Sequence, residues 1–186
     1  MKKSWLYFIP VFLFSSTMAT ADASWLSKQL DKLDAWSKSQ TAVSTTSDGT
    51  MSLPPQSERW IKISENKFYT TYGDSRTLKA SGQAQNREVV GYFKRVYTPI
   101  GSQWLGNTSN GYVKPDVITH SIYKARYTIY SFTVTTYPQY YDVHNNLIYE
   151  GGLTDLTTSW IGEKLTPDSE EEQIKDKLFH AFGWDY

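Results

Sequence analysis

The chain contains no cysteine. Disulfides, iron–sulfur clusters and thiol catalysis are therefore excluded, as is an anchor built on a lipidated cysteine. An excess of one charge is missing too: 19 basic residues face 19 acidic ones, scattered rather than in blocks. A nucleic-acid partner is usually announced by a basic stripe, so none is expected. Long apolar runs are also absent. The opening run, Trp5 to Phe14, is ten residues, whereas a bilayer-spanning helix takes roughly 20.

The motifs of common chemistries are missing as well. No G-x-S-x-G elbow marks a serine nucleophile. No glycine loop opens a helix to cradle phosphate, and no D-x-D-x-D-G run offers a calcium loop. His120, His144 and His180 fall in a strand, a turn and the last helix, and no two share a metal-ligand spacing. The carboxylate pairs nearest to a glycosidase arrangement are Glu150 with Asp155 and Glu163 with Asp168. Turn and capping roles account for both. The expectation is a protein without catalytic residues, metal or cofactor.

What is present begins with an export signal. Lys2 and Lys3 precede the short apolar run, and small residues then allow cleavage after Ala21 or Ala23. Residues 1–23 read as a signal peptide, with no transmembrane span left after cleavage. The expected destination is the periplasm, the cell surface or the medium of a Gram-negative-type bacterium. Residues 24–39 read as a short amphipathic helix, with Leu26, Leu30 and Leu33 at i, i+4, i+7. Residues 40–58, rich in Ser and Thr and carrying Pro54-Pro55, read as a linker. Residues 59–186 then form the domain.

Its class is α+β: an antiparallel β-sheet packed by a C-terminal α-helix, with the additional short N-terminal helix. Strands are expected at 59–64, 67–72 and 87–98. In the last, Val89, Gly91, Phe93 and Arg95 alternate with Val90, Tyr92, Lys94 and Val96, and Gly91 signals a bulge or a close neighbouring backbone. Ser75 to Asn86 reads as a polar connection, and Ile100 to Pro115, carrying Gly101, Gly106 and Gly111, as a long loop. Val117 to Glu150 holds seven of the fourteen tyrosines, no glycine and one proline. The 117–137 part would span roughly 70 Å if fully extended, too long for the domain, so a break is expected. The phase of Ile118, Ile122, Tyr127 and Ile129 places it near Lys124–Arg126. Asn145-Asn146 fits a hairpin turn joining Tyr140-Tyr141-Asp142 to Leu147-Ile148-Tyr149. Trp160-Ile161 reads as a last short strand. Thr166 as N-cap, Pro167 at N1, a stripe of Ile174, Leu178, Ala181 and Phe182, and Gly183 as the stop define the final helix.

Aromatic residues make up 16% of the chain. Without a catalytic constellation, this surplus is the strongest functional feature. Tyrosines on an open sheet face suit recognition of protein or glycan. Candidate binding residues are Tyr123, Tyr127, Tyr130, Tyr137 and Tyr140 in the long stretch, and Trp104 and Tyr112 in the 100–115 loop. The alternative is a periplasmic small-ligand binding or sensing domain, with a pocket between sheet and helix.

The run from Trp60 to Phe182 resembles the surface-adhesin protein E-like family of Gram-negative envelopes. The likeness rests on four short matches. They are Trp60-Ile61-Lys62-Ile63, Tyr72-Gly73-Asp74-Ser75, Tyr140-Tyr141-Asp142 with Asn145-Asn146-Leu147-Ile148, and Trp160-Ile161 ahead of Thr166-Pro167-Asp168-Ser169. The resemblance implies an antiparallel sheet with a terminal helix. It also implies an envelope protein that binds a host or extracellular-matrix protein or an envelope component. Members often carry a cysteine pair, and some a lipid-anchor cysteine; this chain has neither.

Overall fold

The computed structural model describes residues 43–152 and 163–184. The signal peptide, the 24–39 helix and Trp160-Ile161 lie outside the described residues. In chain order the elements are β1 (Ser44–Thr45), β2 (Met51–Ser52), β3 (Trp60–Glu65), β4 (Tyr69–Asp74), β5 (Lys79–Ser81), β6 (Glu88–Tyr97), α1 (Pro99–Thr108), β7 (His120–Thr128), β8 (Ser131–Val134), β9 (Gln139–Tyr141), β10 (Leu147–Glu150), β11 (Glu163–Lys164) and α2 (Glu170–Ala181).

Two long strands make the centre. β6 and β7 pair antiparallel without interruption from Glu88↔Thr128 to Val96↔His120. Each has two neighbours on its far edge. On β6, β4 covers residues 93–97 and β5 covers 88–90. On β7, β9 covers 120–122 and β8 covers 125–127. Beyond these lie β3, β2 with β1, β10 and β11, all paired antiparallel. Gly91 sits where the neighbour of β6 changes, and a Cβ there would meet Leu78 Cα at 3.0 Å. The glycine thus marks a close neighbouring backbone, as its place in the strand predicts.

One face of this sheet is the core. Val89, Phe93, Tyr123, Ala125, Tyr127, Phe132, Val134 and Tyr140 point inward and are buried. α2 covers them with Ile174, Leu178, Phe179, Ala181 and Phe182. The expected stripe on the final helix therefore holds, and Gly183, with φ +74, ends it. The helix is pinned at its start by Glu170. That carboxylate accepts hydrogen bonds from Ser64 Oγ (2.8 Å), Asn66 Nδ2 (2.6 Å) and Tyr69 Oη (2.9 Å). Lys177 Nζ donates to the Ile63 carbonyl at 2.7 Å. Leu105 of α1 forms a second cluster with Val113, Ile118 and Tyr140.

Several boundaries differ from the sequence reading. The sheet begins inside the 40–58 stretch, because Met51 and Ser52 pair with Ala80 and Lys79 of β5. β5 itself was hidden in the polar connection by its shortness. The 100–115 loop contains α1: Thr98 Oγ1 accepts from Gly101 N at 3.1 Å and Pro99 opens the helix. Its glycines are packing residues rather than turn formers. A Cβ on Gly101 would lie 1.8 Å from the Phe68 carbonyl oxygen, and one on Gly106 2.3 Å from Pro115 Cα. No break occurs at Lys124–Arg126. β7 continues through it, and the chain turns at residues 129–130, where Thr128 Oγ1 accepts from Ser131 N at 3.0 Å. The hairpin at Asn145 is present, with Asn145 at φ +63. Its loop is longer than two residues and is held by Asp142 Oδ1, which accepts from His144 N and Asn146 N, each at 2.8 Å.

Candidate functional site

The inward face ends on a charge. Alternation along β6 that buries Val89, Gly91 and Phe93 also turns Arg95 inward, its side chain 13% exposed. The guanidinium carbon lies 4.5 Å from the Tyr69 ring centre and 5.3 Å from that of Tyr123. Its ion pair with Glu171 is loose, 3.6 Å from Nη2 to Oε1. Arg95 borders a cavity of about 30 Å³ with Tyr69, Tyr97, Ser121, Tyr123 and Trp104. That volume suits a water or two. Arg95 Nε and Tyr123 Oη have no hydrogen-bond partner among the described residues, whereas Tyr97 Oη pairs with Ser121 Oγ at 3.0 Å. Burial pushes the Tyr69 phenol up to about 12, against the opposing pull of Arg95. Burial likewise raises Tyr97, Tyr123 and Tyr127. All four are neutral phenols at physiological pH.

This interior leaves little space for a ligand. Phe93, Phe132, Val134 and Phe182 fill it, each no more than 6% exposed. The sheet-to-helix pocket expected under the small-ligand alternative therefore shrinks to the water-sized cavity beside Arg95.

The opposite face is arranged differently. Strand register sets one row of side chains across six strands: Lys62, Tyr72, Lys94, Ile122, Gln139 and Glu150. At about 4.8 Å per strand the row runs about 24 Å. A second row holds Thr70, Val96, His120, Tyr141 and Leu147. Between the strands lies an open groove of about 350 Å³ lined by Arg59, Trp60, Tyr92, Lys94, His120, Ile122 and Asn145. Neither helix contributes to it.

Cations and rings interleave in this groove. Lys94 Nζ sits 4.8 Å from the Trp60 ring centre and 5.6 Å from that of Tyr72, and Arg59 lies 5.3 Å from the same Trp60 ring. Such contacts hold an ammonium in place without neutralising it. Arg59 is anchored by two hydrogen bonds to Asp74 Oδ2, at 3.1 and 2.9 Å. Desolvation, and then the Arg59 charge, lower the Lys94 pKa. His120 stacks on Tyr141, centres 5.0 Å apart and planes at 9°. Desolvation and then the Lys94 charge lower its pKa, while Asp142 opposes them.

The structure scatters the residues singled out in the sequence. Tyr123, Tyr127 and Tyr140 are buried, at 4%, 0% and 2% exposure, so they cannot meet a partner. Trp104 faces the inner cavity and packs on Phe68 with ring centres 5.4 Å apart. Tyr112, Tyr130 and Tyr137 are exposed, but sit in three separate turns. The groove residues Trp60, Tyr92, Lys94 and His120 were missed. The signal for them was available in the alternation of residues 87–98. Gly91, small enough for a packed face, puts Tyr92 and Lys94 on the other one. Among known proteins, no family model, curated sequence or solved structure matches this chain.

Proposed function

We propose that this chain is an exported, non-enzymatic binding protein of the bacterial envelope, adhesin-like, that recognises protein or glycan through the outer face of its sheet. The observation that carries the reading is the row of aromatic and cationic side chains around Tyr92 and Lys94, which no helix covers among the described residues. A face with only a structural role would tie its cations to carboxylates; here Lys94 faces rings instead. The short motifs shared with the surface-adhesin protein E-like family support the same setting, with a host or extracellular-matrix protein or an envelope component as partner. The 100–115 segment is the weaker candidate, because Gly101 and Gly106 are spent on packing α1.

The test compares the mature protein with a Tyr92→Ser/Lys94→Gln double variant on immobilised matrix proteins, glycans and envelope components. Retention of the parent on one of these, reduced at least about tenfold in the variant, a change of roughly 1.4 kcal/mol, is the expected result. Absence of retention for the parent, or equal retention for both, rejects the reading.

A further inference from the structure

The geometry points to an acidic polysaccharide, carrying carboxylate or sulfate groups, as the ligand of the outer face. This rests on the reading above and names its ligand. Three cations on adjacent central strands carry it: Lys94 on β6, and Lys124 and Arg126 on β7. Register places Lys124 opposite Tyr92 and Arg126 opposite Val90, so all three share the face. Their side chains make no hydrogen bond or ion pair among the described residues; Lys94 makes only its ring contacts. Lys94 and Lys124 are diagonal neighbours and Lys124 and Arg126 are two residues apart, so the charges follow one another at about 7 Å.

The acids on this side are spent or peripheral. Glu65 pairs with Lys62, and Asp74 is buried against Arg59. Asp142 is held by Asn146 in its loop, and Glu88, a diagonal neighbour of Arg126 by register, accepts a hydrogen bond from Ser81 Oγ. Glu150 closes the long row beside Gln139. A line of unneutralised charges with Tyr92 exposed between them, at 40%, fits a polymer that repeats an anion and a flat ring.

A protein partner fits less well. Protein interfaces are centred on apolar anchors and depleted of lysine at their core, and lysine is at the centre here. A second copy would set like charges face to face.

The experiment measures retention of the full mature chain on heparin and on polygalacturonate, with dextran as the neutral polymer and polyphosphate as a ringless polyanion. Lys94→Gln, Lys124→Gln and Arg126→Gln are each expected to weaken retention about tenfold, the scale of one charge-assisted hydrogen bond. Added salt weakens it further, while Tyr92→Ser lowers it on the sugars. Lys114→Gln, in the exposed segment before β7, leaves it unchanged. Thermal midpoints of all variants confirm folding. Equal retention on polyphosphate overturns the assignment, since charge alone would then suffice. Retention on a protein or on dextran but not on the acidic sugars, weakened by the same substitutions, also overturns it and leaves the face standing as a binding surface. Retention on heparin that none of the substitutions weakens overturns both.

Discussion

At the residue scale, two glycines show how a sequence signal can be real and still be assigned to the wrong cause. Gly101 and Gly106 read as loop formers, because glycine frees the backbone in turns. In the structure neither has a positive φ; what each supplies is the absence of a side chain against another stretch of backbone. The distinction is testable. A Cβ at Gly101 would overlap the Phe68 carbonyl oxygen at 1.8 Å, and backbone cannot swing aside as a flexible side chain can. Gly101→Ala is therefore expected to cost about 2–4 kcal/mol. Gly111, at φ +85 with nothing near its missing Cβ, carries only conformational strain. Gly111→Ala should cost about 1 kcal/mol. Urea midpoints for the two variants settle the order. A Gly101→Ala protein as stable as the parent would mean that α1 does not dock closely on Phe68.

At the scale of elements, the start of α2 was legible, yet the stronger of two competing signals was passed over. Thr166-Pro167 is a good helix opening, since proline suits the first position. Ser169 followed three residues later by Glu172 has the capping-box spacing, and the chain takes its N-cap there, with the Glu172 carboxylate accepting from Asp168 N at 2.7 Å. Ser169 Oγ accepts from Glu172 N at 3.2 Å. Asp168 takes φ +64, and Ser169 N returns to the Thr166 carbonyl at 3.0 Å, so Thr166-Pro167 becomes the turn before the helix. Ser169→Ala should then destabilise the fold by about 1 kcal/mol, and Thr166→Ala by no more than about 0.5 kcal/mol, both read from urea denaturation. Reversed magnitudes would restore Thr166 as the cap. β7 teaches a different lesson. Its strand character is plain from composition, but the positions of Ile118, Ile122, Tyr127 and Ile129 predict a change of phase near Lys124–Arg126. The inward set is Ser121, Tyr123, Ala125 and Tyr127, while Ile122 faces the groove. Tyrosine is apolar along its ring and polar at its tip, so it serves on either face. A phase that counts isoleucine and tyrosine as one set therefore shifts where the strand has no break.

At the scale of the whole molecule, the antiparallel sheet and its C-terminal helix followed from strand patterning and caps, which are local. Which face the helices cover is not local, and the choice of binding tyrosines depended on it. The same burial that removes Tyr123 and Tyr127 from recognition makes the fold vulnerable to alkali. Tyr69, Tyr97, Tyr123 and Tyr127 all ionise above their ordinary value of 10.0, with burial as the leading cause in each. An unfolded chain releases these protons near pH 10, whereas the folded one retains them. Their stabilisation is complete below pH 10 and falls away as the pH climbs through the folded values, because the unfolded state then binds fewer protons. For Tyr69, raised to about 12, the loss amounts to about 2–3 kcal/mol. The four rings share one core, with Phe93 5.9 Å from Tyr123 and 5.4 Å from Tyr127. They should therefore ionise together as that core opens, rather than one by one. The expected record is a two-phase phenolate absorbance titration. A first phase proceeds without loss of near-ultraviolet circular dichroism. A steep second phase then coincides with its collapse. A Tyr127→Phe variant, which keeps the ring and removes a hydroxyl that has no hydrogen-bond partner among the described residues, should shift that second phase to higher pH. A smooth single-phase titration, with tertiary signal lost in proportion from its start, would show that these rings are not sealed in the sheet interior.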